Sequence, residues 1–211
     1  MSNTLEQMQK DLYNGQVDEV RAATQKALDE GTPAQEILSD GLIAGMDEVG
    51  KDFKAGDLFI PEVLMSAKAM HAGLDVLRPL LAESDAPALS KIVIGTMAGD
   101  LHDIGKNLVG MMLEGAGFEI IDLGTSVSPE KFVETVRTEG AAMLGMSALL
   151  TTTMPAMKTT IEALTEAGLR DHVKVIVGGA PVTAGFAKEI GADAYAPDAA
   201  SAVDTARSLI A

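Results

Sequence analysis

The chain has no cysteine and no tryptophan among its 211 residues. Without cysteine there are no disulfides, no cysteine-ligated zinc and no cysteine-bound iron–sulfur cluster. The absence fits a reducing compartment. Positive charge is scarce: 16 Lys and Arg stand against 31 Asp and Glu, for a net charge of −15. Such a surface repels nucleic acid unless basic residues gather in a patch, and Lys51, Lys54 and Lys68 stand singly. No run approaches the ~18 apolar residues of a membrane span. The N-terminus lacks the basic stretch and apolar core of a secretory signal. The expectation is a cytoplasmic protein whose partners include neither nucleic acid nor membrane. Aromatic residues are few, at 3%, whereas methionine is plentiful, at 12.

Hydrophobic residues make up 47% and charged residues 22%, an ordinary globular balance. The length suits one large domain or two small ones, and the two halves of the chain follow different patterns. The first half reads as helices alone. Leu5, Met8 and Leu12 recur at helical spacing, and Val17, Val20, Ala23, Ala27 and Leu28 follow in a second helix. Thr32-Pro33, with Glu36 three residues beyond Pro33, resembles an N-cap, an N1 proline and a capping box. A third helix carries Ile37, Leu38, Leu42, Ile43, Met46 and Val49 and ends near Gly56; a fourth opens at Pro61 and carries Val63, Leu64, Met65, Met70, Leu74 and Leu77. Four helices with short joints predict a bundle. The polar, Pro-containing stretch 82–90 reads as a linker, dividing the chain into domains 1–86 and 87–211.

Beyond the linker, short apolar runs alternate with amphipathic helices. Strands are predicted at 92–97, 118–123, 142–146, 173–177 and 194–195, with helices at 107–116, 129–137, 154–167, 182–190 and 199–209. Continuous apolar strands interleaved with helices predict a five-stranded parallel, doubly wound sheet. The fold class is thus α + α/β: a four-helix bundle cap before a Rossmann- or flavodoxin-like domain. Ligands of such sheets sit at the carboxyl ends of the strands. There the sequence places Gly99-Asp100-Leu101-His102-Asp103-Ile104-Gly105, then Gly124-Thr125-Ser126, then Ser147 to Thr153, then Gly178-Gly179. The first loop lacks Gly-x-Gly-x-x-Gly and has no Gly-Lys-Ser/Thr tail, which argues against a dinucleotide and a nucleotide triphosphate.

The combination Asp100-x-His102-x-x-Gly105, Ser147-x-Leu149 and Gly178-Gly179 resembles the cobalamin-binding domain, over about residues 90–211. Gly56-Asp57-Leu58-Phe59-Ile60-Pro61-Glu62-Val63-Leu64-Met65 resembles the helical cap that precedes that domain in methyl-transferring corrinoid proteins. The whole chain is similar to the free-standing corrinoid proteins of anaerobic methyltransferase systems, which serve methylamines, methanol, betaines or methoxylated aromatics, and to a module of methionine synthase. The resemblance implies a cobalamin or related corrinoid cofactor, with His102 as the cobalt ligand and Asp100 as acceptor for its second ring nitrogen. It implies that Gly99, Leu101, Asp103, Ile104, Gly105, Leu149 and Thr151 line the site. Ser147 would bond the buried base, Gly178 and Gly179 would give the cofactor tail clearance, and Thr153 would extend the His–Asp pair. Met46, Met65 and Met70 are candidates for an apolar lid in the cap.

The function implied is a methyl carrier. It would shuttle a methyl group on cobalt from a substrate-specific methyltransferase to a second methyltransferase, with a reductive activase as a further partner. Alone it would not be a complete catalyst, and it carries no catalytic residue of its own. The cobalamin subunit of a mutase and a cobalamin-dependent sensor are the alternatives. Asp103, Lys106 and Asn107 also read as first-turn helix residues, and His71 and His172 as ordinary surface or boundary positions.

Overall fold

The computed structural model describes residues 3–83 and 90–210. Of the expected linker, residues 84–89 lie outside the described residues. The chain divides into two compact units, Met1–Pro87 with Gly115–Gly117, and Ala88–Glu114 with Phe118–Ala211.

The first unit is helical. Helix α1 (Asn3–Tyr13) buries Leu5, Met8 and Leu12 completely, the stripe that their spacing dictates. Burying such side chains stabilises by roughly 1.5–3 kcal/mol each. Helix α2 (Val17–Asp29) follows. The expected cap at Thr32 is not formed: Pro33 itself is the N-cap of the short helix α3 (Ala34–Glu36), with no side-chain cap bond. The Thr32 backbone N–H instead donates to the Ala27 carbonyl at 3.0 Å. The third predicted helix is composite. After α3 it widens into a π-helical stretch, Ile37–Ile43, then continues as α4 (Ala44–Ala55). In that stretch Gly41 faces Met8, and a Cβ there would lie 2.7 Å from the Met8 sulfur.

Gly56 ends α4 in the left-handed region, at φ +85°, the usual glycine stop. Helix α5 (Ile60–Glu83) starts one residue before Pro61 and runs through Pro79, beyond the predicted end. At its start the Glu62 carboxylate accepts the Phe59 N–H at 2.7 Å, the backward half of a capping box.

The second unit is a parallel sheet of β1 (Lys91–Thr96), β2 (Glu119–Asp122), β3 (Met143–Ser147), β4 (Lys174–Gly178) and β5 (Ala194–Ala196), in the order β2-β1-β3-β4-β5. It is covered by α6 (Ile104–Gly115), α7 (Pro129–Glu139), α8 (Pro155–Glu166), α9 (Ala184–Glu189) and α10 (Ala199–Ile210). Val93, Leu144, Val175 and Val177 are fully buried between the layers. Phe132 of α7 lies over β1 where Gly95 gives it room, for a Cβ at Gly95 would come within 2.7 Å of the ring. The strand order reverses between β1 and β3, which makes their carboxyl ends the switch point where ligands enter such sheets.

One correction bears on the site. Helix α6 begins at Ile104, so Ile104 and Gly105 are its first turn and not loop. Asp103 accepts the Asn107 N–H on its backbone carbonyl at 2.7 Å. Lys106, only 4% exposed, pairs with Asp122 at the end of β2 and donates to Asn107 Oδ1 at 2.7 Å. Asp122 in turn accepts the Gly124 N–H at 2.8 Å. Removing a partner from a buried ion leaves its charge uncompensated. Asp122→Ala is therefore expected to destabilise the protein by about 1–3 kcal/mol, and more than Lys106→Met does. Urea unfolding of the two variants checks the order.

Candidate functional site

The loop from β1 to α6 turns at Gly99, at φ +80°, and the Asp100 N–H closes the turn on the Met97 carbonyl at 3.0 Å. Asp100 is thereby carried inside, and its side chain is fully buried. Both of its oxygens are saturated. Oδ1 takes the His102 ring at Nδ1, 2.7 Å away, and the His102 backbone N–H at 3.1 Å. Oδ2 accepts the backbone N–H groups of Leu149 and Leu150 at 2.7 and 3.1 Å and the Thr153 hydroxyl at 3.0 Å. Thr153 Oγ1 also lies 2.9 Å from the Leu150 carbonyl. Burial alone would raise the carboxyl's pKa. The bonds from the His102 ring and from the Leu149, His102 and Leu150 amides outweigh it, and hold Asp100 well below the usual carboxylate range.

An ionised Asp100 only accepts, so the proton it shares with His102 resides on Nδ1. That fixes the tautomer with a bare lone pair on Nε2, the form a metal needs. The imidazole is 53% exposed, and the Thr96 hydroxyl donates to the His102 carbonyl at 2.9 Å. Large apolar side chains on the same loop and on the segment that bonds Asp100 face solvent: Leu101 at 75%, Ile104 at 76%, Leu149 and Leu150. Beside them Gly105 leaves open space where a Cβ would be. Among the described residues, no group of three or more His, Cys, Asp or Glu side chains could hold a bare ion. One neutral imidazole among segments that expose large apolar side chains, with open space at Gly105, suits a metal that brings its own ligands in a broad, largely apolar ring. The residues fit a corrinoid.

The B12 binding domain family matches residues 90–204, and a second B12 binding domain family matches residues 4–78. The chain belongs to the B12-binding corrinoid proteins. Dimethylamine corrinoid protein 1 of Methanosarcina acetivorans is 49% identical over 195 residues, covering 92% of this chain and 91% of that one. A corrinoid protein of Desulfitobacterium hafniense is 44% identical over 209 residues, covering 98% and 97%. Among solved structures, the methanol:cobalamin methyltransferase complex MtaBC from Methanosarcina barkeri aligns with a TM-score of 0.90 at 31% identity, over 99% of this chain and 80% of that one. A cobalamin-binding protein from Desulfitobacterium hafniense aligns with a TM-score of 0.79 at 32% identity, over 97% of each chain.

In this corrinoid protein the structure brings Gly99, Asp100, His102, Leu149 and Thr153 together. Leu101 and Ile104 lie at the rim, while Asp103 and Thr151 are exposed next to it. Ser147 ends β3, paired with Thr96 on one side and Gly178 on the other. Gly178 and Gly179 make a floor with no spare room. A Cβ at Gly178 would lie 2.9 Å from the Ala196 carbonyl oxygen, and one at Gly179 only 1.9 Å from that of Ala148. Of the three methionines expected in the lid, Met46 and Met70 are interior, at 3% and 1% exposure, and Met65 is half exposed. The apolar side chains that the helical unit presents to solvent near the start of α5 are Phe59, Ile60, Leu64 and Met65. Two contributors were placed at the strand ends by the sequence but given no role there. Leu150 supplies both an amide to Asp100 and an apolar face. Ser126 bonds the Asp100 loop from the β2 side. A strand-end position within reach of the first loop was the available signal for Ser126.

Proposed function

We propose that this corrinoid protein is the methyl-carrying subunit of a methyltransferase system, in which His102 would hold the metal of the cofactor. The observation that carries the reading is the buried Asp100 carboxylate, which holds His102 in the tautomer that leaves Nε2 bare and exposed. When bound, the corrinoid supplies the metal that accepts and gives up the methyl group. The chain's own residues do the rest. Leu101, Ile104, Leu149 and Leu150 would seat the ring and exclude water, while Asp100 retains the Nδ1 proton and would set the basicity of His102 as a ligand. Thr153 holds Asp100 Oδ2. Ser147, Gly178 and Gly179 lie at the strand ends where the cofactor's tail would enter.

The partners of this reading are a methyltransferase that charges the carrier, a second that discharges it, and a reductive activase. Support for the first comes from the likeness to the methanol:cobalamin methyltransferase complex. Relatives named for dimethylamine support a methylamine as the source of the methyl group, with the choice made by the partner enzyme. A cytoplasmic setting and a division into a cap, 1–86, and a cobalamin-binding domain, 87–211, complete it. Among the described residues no helix is long and apolar enough to cross a membrane.

The test is spectroscopic. After loading with cobalamin and reduction to the Co(II) state, wild-type protein is expected to show coupling from one protein imidazole nitrogen in its electron paramagnetic resonance spectrum. His102→Ala is expected to lose it. Coupling that survives the substitution would sink the ligand assignment.

A further inference from the structure

Ser126 is the one non-glycine with a positive φ among the described residues, at +52°. A side chain in the left-handed region is uncommon outside Asn, Asp and His, and it persists where surrounding bonds over-determine it. Here those bonds all run to the cofactor loop. The Ser126 N–H donates to the Asp100 carbonyl at 3.0 Å, and Ser126 Oγ accepts the Gly99 N–H at 3.0 Å. On either side the β1–β2 pairing is extended past the strand ends. The Thr96 N–H donates to the Gly124 carbonyl at 3.0 Å, the Val127 N–H to the Thr96 carbonyl at 2.9 Å, and Met97 bridges Val127. Gly99, at φ +80°, is the turn that delivers Asp100 to the interior.

We infer that Ser126 is a positioning residue for the axial ligand: its hydroxyl oxygen and backbone N–H clasp Gly99 and Asp100 and so fix where the His102 imidazole stands. The inference rests on reading His102 as the ligand. The strained backbone is the means, because φ near +52° turns the Ser126 N–H and Oγ toward the same loop. Ser126 touches neither the imidazole nor the Asp100 carboxylate, so its influence passes through the turn.

The experiment compares Ser126→Ala, Ser126→Gly and Ser126→Asn in the full chain. Gly relieves the strain but lacks the acceptor, which keeps the fold intact while deleting the bond. Asn tolerates the left-handed region and restores an acceptor. Two quantities are read: amide hydrogen exchange at Gly99 in the cofactor-free protein, and the ratio of imidazole-ligated to unligated Co(II) cobalamin by electron paramagnetic resonance. One hydrogen bond corresponds to a factor of about five in such an equilibrium. Ser126→Ala and Ser126→Gly are expected to speed Gly99 exchange by about that factor and to lower the ligated ratio similarly, with Ser126→Asn near wild type. Wild-type ligation and exchange in both Ser126→Ala and Ser126→Gly overturn the inference alone. A wild-type protein without imidazole coupling, or one whose coupling survives His102→Ala, overturns the ligand reading and this inference with it.

Discussion

Gly179→Ala is expected to be the most damaging single-methyl change in the protein, lowering stability by roughly 4 kcal/mol or more, beyond the usual range for point substitutions. Gly179 sits at φ +121°, where side chains are strained, and its Cβ would fall 1.9 Å from the Ala148 carbonyl oxygen. No rotamer relieves a backbone clash, so the ends of β3 and β4 must move apart. That displacement reaches the site directly, because the next two amides after Ala148, those of Leu149 and Leu150, donate to Asp100. Urea unfolding and cobalamin titration are therefore expected to fail together. A variant within about 1 kcal/mol of wild type would mean that the two strand ends do not approach as closely as described.

Asp100→Ala is the second large effect. It leaves the amides of His102, Leu149 and Leu150 and the His102 Nδ1–H without their acceptor, while Thr153 retains the Leu150 carbonyl. Each buried donor left without an acceptor costs about 1–3 kcal/mol, and several are orphaned at once. Thr153→Val, by contrast, removes one bond from a residue with a second acceptor and is expected to cost about 1 kcal/mol. Asp100→Asn keeps the volume and one acceptor oxygen, so it is expected to fall between the two in unfolding experiments. Its ligation is expected to be weaker than wild type, since a neutral amide no longer raises the basicity of the imidazole. Equal stability of Asp100→Ala and Thr153→Val would contradict the carboxylate's place at the centre of the network.

Much of this was legible in the chain because glycine marks the joints. Gly56, Gly117, Gly140, Gly168 and Gly191 all adopt positive φ, at or near the ends of helices, where glycine stops a helix most readily. The strands were legible because runs such as Ile92-Val93-Ile94 are buried on both faces. The Asp100–His102 pair was legible from spacing and resemblance together. The π stretch at Ile37–Ile43 was not, since a single wide turn barely shifts the apolar period. The start of α6 was missed by three residues because Gly105 reads as loop, although an open first turn tolerates it. Met46 and Met70 show why an apolar stripe does not announce its partner: core and cofactor ask for the same residues. Ser126 was hidden for a different reason. Its conformation is imposed by contacts with a loop 26 or more positions earlier in the chain.

The strand order carries a consequence for the life of the protein before it ever holds its cofactor. Asp100 and Thr153 are 53 positions apart, and the amides that complete the carboxylate's coordination come from beyond β3. A chain emerging from the ribosome exposes His102 well before those groups exist. Parallel pairing of distant strands is slow, because loop closure precedes any reward. The His102 imidazole therefore acquires its tautomer and its seat only when β3 has docked beside β1.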